Sequence, residues 1–287
     1  MKRLAHSSIV FARNAEGLEL PTGLENRKAK TVLLFDPGHP ESVKANPLFM
    51  ADSETLDWIA SFFYGSEPAA LNDDRALFRD LLDIAVTGPI QEATLPGIDA
   101  QAALGPEELK RLFSLRGRPE HIRFLNRFNQ LSFHSQKEAL DRIRRHLSFL
   151  ENARIAPAFS RAELYPPILF TEPILLVIAV SHACPEADKI LAFLFQWMCH
   201  QILMRPSRPD DLRLLIYLEG VVSPESHVLK ALGKKRVGVF SLSNRGEAAF
   251  LNPPEGLAVN PFAILSFKKA ISLPGSLLHQ LFRVRKG

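Results

Sequence analysis

Pro173-Ile-Leu-Leu-Val-Ile-Ala-Val-Ser181 is an unbroken apolar run rich in β-branched residues. It is too short to cross a membrane and predicts a central strand covered on both faces. Downstream, Ile190, Leu191, Leu194, Trp197, Met198 and Leu203 recur at helical spacing within Asp188–Arg205, and Pro206 and Pro209 end that helix. Leu212–Glu219 is a second apolar strand. Pro224–Leu232 predicts a short helix opening at Ser223, and Gly233 terminates it before a third strand, Arg236–Leu242. Strand, helix, strand, helix, strand implies parallel neighbours joined by crossovers.

Upstream, Arg161–Pro173 contains two short extended pieces broken by Pro166 and Pro167, and a long helical pattern runs before it to Leu150. The succession of helix, hairpin-like pair, central strand, helix, strand, helix, strand resembles the core of the PD-(D/E)XK nuclease-like superfamily. The resemblance covers about residues 136–242 and rests on element order. It implies an α/β fold, a mixed sheet with flanking helices like a restriction-endonuclease core, joined to a mainly helical N-terminal lobe. In that family a carboxylate and an acid-x-lysine triplet hold a divalent metal that activates water. The matching places here read Pro166-Pro167 and Ala179-Val180-Ser181, which offer no anionic ligand to magnesium or manganese. The resemblance therefore implies a non-catalytic, nuclease-like protein without a cofactor. The alternative is a metal-dependent phosphodiesterase whose site has migrated to Glu138, Glu163, Glu172 and Lys189.

At 287 residues, 46% hydrophobic and 23% charged, the chain has the composition of an ordinary globular protein and can build a sizeable core. Cys184 and Cys199 lie in or beside apolar segments and suggest no disulfide framework. No secretory leader or membrane-length run is legible, so the expected address is cytoplasmic with no membrane partner. The net charge of +4 is unevenly spread: residues 51–100 carry ten acids against two arginines, whereas residues 110–150 carry ten Lys or Arg against three acids. Such asymmetry suits contact with a polyanion or docking of oppositely charged parts.

Ser8–Arg13 and Lys30–Phe35 predict strands, Ser53–Phe63 and Leu71–Val86 helices, and Pro106–Leu115 another helix. The Pro/Gly-containing stretch from Gly88 to Gly105 places an expected boundary between an N-terminal lobe, residues 1–105, and a core, residues 106–287. Arg118–Leu150 keeps one face apolar, with a break near Ser132–Ser135. Its other face carries Arg123, Arg127, Arg142 and Arg145. Together with Lys234-Lys235-Arg236 these are the candidate phosphate contacts if the partner is nucleic acid; a protein partner in a nucleic-acid process is the other expectation. Phe262–Ile271 predicts an edge strand or short helix and Ser276–Val284 a terminal helix.

Thr31-Val-Leu-Leu-Phe-Asp-Pro-Gly-His39 resembles the first zinc-ligand segment of the N-acetylmuramoyl-L-alanine amidase family, and Val180-Ser-His-Ala183 its later one. The resemblance implies zinc on His39, His182 and a carboxylate such as Glu54 or Glu67, with an open position for water. Pro40-Glu41 departs from that family's Gly-Gly, and turn chemistry alone accounts for Asp-Pro-Gly. His182, Cys184, Cys199 and His200 cluster in sequence without zinc-hairpin spacing. Leu214–Gly220 resembles the strand–Glu–Gly opening of a Toprim domain, but no Asp-x-Asp pair follows. Gly233-Lys234-Lys235 lacks the preceding glycine of a phosphate-binding loop.

Overall fold

The computed structural model describes residues 6–13, 31–65, 72–89, 92–181, 184–208, 211–219, 224–242 and 248–252. The chain divides into two compact units: an α/β unit from Met1–Val43 and Tyr165–Gly287, and a helical unit, Lys44–Leu164, inserted between them in sequence. The expected boundary at residues 105/106 falls inside the helical unit.

The α/β unit is built on six strands: β1 (His6–Ala12), β2 (Thr31–Phe35), β3 (Ile174–Ala179), β4 (Arg213–Leu218), β5 (Val237–Leu242) and β6 (Ala248–Asn252). Their order is β2-β3-β1-β4-β5-β6. The first five pair in parallel and β6 closes the edge antiparallel. Every residue of β3 is buried, as its continuous apolar sequence requires. The centre, however, is β1, whose Ser7–Ala12 is equally buried. It pairs with β3 from Ser8↔Leu175 to Ala12↔Ala179 and with β4 from His6↔Arg213 to Phe11↔Leu218.

Alternation along the strands defines the two faces. Val10, Ala12, Leu175, Val177, Ala179, Tyr217 and Phe240 form one cluster, in which the Tyr217 and Phe240 rings stack at 4.9 Å. Phe11 belongs to the opposite face and meets Phe195 of α8 (Ala187–Met204) edge-on at 5.4 Å. The Ser7 hydroxyl donates to the Glu172 carbonyl (2.7 Å) and accepts from the Ile174 amide (3.1 Å), satisfying polar groups where β1 and β3 begin. Helix α9 (Ser226–Lys234) connects β4 to β5.

Two expectations of the nuclease-like reading fail here. Pro166–Phe170 forms a 3-10 turn, not a hairpin strand, because consecutive prolines fix φ and remove donors from any ladder. The three apolar runs also do not lie side by side: β4 and β5 pair, but β1 separates β3 from β4. The 3-10 turn leads into the amino end of β3, whereas Ala179 stands at its carboxyl end, so Pro167 and Ala179 do not converge. Expected elements within residues 262–284 lie outside the described residues.

The helical unit comprises α1 (Ser53–Tyr64), α2 (Asn72–Thr87), α3 (Leu95–Ala103), α4 (Pro106–Arg116), α5 (Pro119–Phe128), α6 (Phe133–His146) and the single turn α7 (Ile155–Ala158). Asp52 caps α1 by accepting from the Thr55 amide (2.8 Å), one residue before the expected helix start at Ser53. Ser132 caps α6 at the expected break. Phe63 and Phe78 meet edge-on at 5.7 Å, and Phe113 and Phe124 at 5.2 Å. The phenylalanines Phe124 and Phe128 are fully buried core residues.

His121, in the first turn of α5, is 2% exposed, packs 4.9 Å from the Phe113 ring, and has no hydrogen-bond partner for either ring nitrogen among the described residues. Burial first, and then Arg116 and Arg118, hold its pKa below the usual histidine value. The fold therefore favours the neutral imidazole, while the unfolded chain takes up a proton below about pH 6.5. Stability is therefore retained above that pH and lost as pH falls through the folded-state value. The urea midpoint is expected to drop between pH 7.5 and pH 5, and His121→Phe is expected to flatten that drop; an equally steep drop in the variant would assign it to other groups.

Candidate functional site

In a doubly wound sheet, ligands bind at the carboxyl ends of the strands, where neighbouring connections leave in opposite directions. Here β1 continues to β2, beyond β3 on one side, while its neighbour β4 continues to β5 on the other. The switch point is thus the crevice between the carboxyl ends of β1 and β4. The Glu219 amide donates to the Phe11 carbonyl (2.9 Å) and the Val180 amide to the Ala12 carbonyl (3.3 Å), drawing the three strand ends together. Ala12, Arg13, Val180, Ser181 and Glu219 accordingly share one rim. Arg13 and Glu219 are partly exposed and Ser181 is exposed. The Arg13 guanidinium is held 3.1 Å from the carboxylate of Asp188, in the first turn of α8, where a negative charge is favourable.

Arg13 and Glu219 were not singled out as a pair by the sequence. Their only local signal is that each is the first charged residue after an apolar strand, and the adjacency of β1 and β4 is what unites them. After β2, Asp36-Pro37-Gly38-His39 forms a self-contained turn: Asp36 Oδ1 accepts from the Gly38 amide (2.9 Å) and Ser42 Oγ from the Asp36 amide (2.9 Å).

The migrated nuclease candidates are dispersed. Glu138 lies on α6, its carboxylate 3.2 Å from His134 and 3.8 Å from Arg142. Glu163 accepts from the Lys44 amide (3.0 Å) within the helical unit. Glu172 and Lys189 belong to the α/β unit, at opposite ends of the β3 segment. Burial lowers the Lys189 pKa, with Glu186 opposing. Among the described residues no three His, Cys, Asp or Glu side chains form a metal-holding group. His39 occupies the turn after β2, Glu54 lies on α1, and His182 and Glu67 are outside the described residues. Cys199 is buried, and burial raises its thiol pKa, so it is not an activated nucleophile.

The basic candidates divide by environment. Arg123 Nε lies 3.0 Å and Arg127 Nε 3.2 Å from the Asp80 carboxylate; Arg123 also bonds Asp83, and Arg142 bonds Asp74. The acids of α2 thus face the bases of α5 and α6 inside one unit, which accounts for much of the charge asymmetry. Arg145 is exposed. Lys234 ends α9, and Lys235 and Arg236 form the turn into β5, at the amino ends of the strands and therefore away from the switch point.

No family model and no curated protein matches the chain. Solved structures do. The bacterial conjugative coupling protein TrwBΔN70, in a trigonal form with sulphate, is 14% identical with a TM-score of 0.58, covering 83% of this chain and 55% of that one. Plasmid coupling protein TrwB with ADP and Mg2+ is 12% identical with a TM-score of 0.55, over 82% of this chain and 62% of that one. The same protein with the ATP analogue ADPNP is 14% identical with a TM-score of 0.53, over 83% and 63%. At such identities the likeness establishes the fold. The largely parallel sheet is shared with these coupling proteins, which corrects the PD-(D/E)XK resemblance and leaves neither the nuclease-like nor the amidase-like function with a basis. The chain spans little more than half the length of the first of these structures.

Proposed function

We propose that this chain is a nucleotide-independent module built on the coupling-protein fold, acting by docking to nucleic acid and protein partners and not by turning over nucleoside triphosphates. The observation that carries the reading is the segment after β1. A phosphate-binding loop supplies backbone amides from a glycine-rich turn, a lysine for the β- and γ-phosphates and a hydroxyl for Mg2+. Here the segment reads Arg13-Asn-Ala-Glu-Gly-Leu-Glu-Leu-Pro-Thr-Gly-Leu-Glu-Asn-Arg-Lys-Ala-Lys30, and G-x-x-x-x-G-K-[ST] occurs nowhere in the sequence. Its first cation is committed to Asp188. Two of the first five residues, Asn14 and Glu16, carry amide or acidic side chains where a phosphate-binding loop has glycine.

Among the described residues of this rim the carboxylates are Glu219 and Asp188, the second engaged by Arg13, and magnesium in such sites is also held by substrate phosphates. The residues present therefore do not fit a magnesium–triphosphate group. The helical unit and the outer rims of the sheet remain as working surfaces. No helix among the described residues is long and apolar enough to cross a membrane. Phosphate release from ATP and GTP with Mg2+, with and without DNA, is expected to match the buffer blank. Turnover above background that Glu219→Gln abolishes would overturn the proposal.

A further inference from the structure

The amino-terminal edge of the sheet, opposite the switch point, carries cations that make no ion pair among the described residues. Lys230 and Lys234 are exposed one turn apart on α9 and so share a face. Arg236 is exposed and holds a left-handed backbone (φ 61°) as the chain enters β5, and Arg213 opens β4. A clasp joins their turn to the α8–β4 loop: Lys235 Nζ donates to the Arg205 carbonyl (2.7 Å). The Arg205 guanidinium stacks 4.4 Å over the Phe170 ring and bonds both Asp211 oxygens at 2.5 Å. Arg208, exposed in the same loop, donates its amide to Asp211 (2.8 Å).

Asp211 is thus fully engaged, and Arg205 with its hydrogen bond holds that carboxyl below the usual range. Asp210 lies outside the described residues. Among the described residues, Lys230, Lys234, Arg236 and Arg213 make no ion pair, in contrast to Arg123, Arg127 and Arg142 in the helical unit.

We propose that this rim, Lys230, Lys234, Arg236, Arg208 and Arg213, is a binding surface for the sugar–phosphate backbone of nucleic acid. Its cations come from a helix, a turn, a loop and a strand start, an arrangement suited to successive phosphates more than to one anionic group. The large apolar residues exposed among the described residues of the α/β unit, Tyr165, Met204 and Leu251, stand singly on different elements and give no continuous wedge for insertion into a lipid surface. The clasp fixes the two turns relative to each other, so the cations are held in place before binding and little order has to be created. Fixed charge without base-reading groups predicts binding governed by salt and indifferent to sequence.

The test is fluorescence anisotropy with the full chain and labelled 30-nucleotide single strands and 30-base-pair duplexes, at salt from about 50 to 200 mM. Lys230→Glu with Lys234→Glu alters only an exposed helix face. Arg236→Gly removes a charge where glycine accepts the backbone without strain, so weaker binding there cannot be ascribed to unfolding. The double reversal is expected to weaken binding at least tenfold and to flatten the log–log salt slope by about 2, and Arg236→Gly by about 1. Arg145→Glu, in the helical unit, is expected to stay within twofold of the parent. Absence of binding at the lowest salt, variants indistinguishable from the parent, or binding to phosphatidylserine vesicles but not to DNA would each overturn the proposal.

Discussion

Truncating Phe11 to alanine is expected to cost about 3–5 kcal/mol, the range for a large aromatic removed from a packed core. Phe11 has no exposure, sits on the strand that bonds β3 on one side and β4 on the other, and meets Phe195 of α8 edge-on. Its carbonyl also accepts from the Glu219 amide, so the cavity would loosen both the sheet-to-helix contact and the rim of the switch point. At roughly 2–4 °C per kcal/mol for a chain of this size, the melting temperature should fall on the order of 10 °C in a circular dichroism melt. Phe11→Leu, which keeps most of the volume, should lose less than half as much. A loss below about 1 kcal/mol in Phe11→Ala would mean that β1 is not the centre of the sheet.

Asp74→Ala should destabilise the helical unit by about 3 kcal/mol. Asp74 is 4% exposed, and the guanidinium of Arg142 that bonds it is itself largely covered. Removing the carboxylate strands a desolvated cation, which costs more than the pair contributes when intact. That asymmetry gives a second readout: Asp74→Leu combined with Arg142→Met should recover most of the stability, because an apolar pair of similar volume carries no desolvation cost. Urea unfolding of the single and double variants measures both. Equal losses in the two would show that the pair itself, and not the stranded charge, sets the cost. Asp80 makes a weaker test, since Arg123 and Arg127 are substantially exposed and water compensates part of their loss.

The strands and helices from Pro173 onward were legible because each is long enough to show a period. β3, α8, β4, α9 and β5 all fall where the apolar spacing placed them, within a few residues. Strand adjacency was not legible: nothing within Ser8-Ile-Val-Phe-Ala12 says that it inserts between β3 and β4, and that placement, decided by long-range packing, separates this fold from the nuclease-like one. Pro166-Pro167 was read as the break in a hairpin, although the same rigidity equally suits a 3-10 turn.

The limits of the helical insertion were equally obscure. They are marked by the Lys44 carbonyl, which accepts from the amides of Glu163 (3.0 Å) and Leu164 (2.9 Å) across the length of the unit. Gly105, taken as part of a linker, is a left-handed N-cap (φ 78°) between α3 and α4. The phosphate-contact candidates on α5 and α6 were visible as a basic face, but their partners Asp74, Asp80 and Asp83 lie 40 to 68 residues away. Only the folded chain brings those charges together.

The most direct test of the account is calorimetric titration of the full chain with Mg2+ and ADPNP. A site without the glycine cradle, whose first cation is committed to Asp188, predicts no saturable heat up to millimolar nucleotide. Saturable binding in the micromolar range that Arg13→Ala or Glu219→Gln weakens would contradict it, and would restore nucleotide to the crevice between β1 and β4.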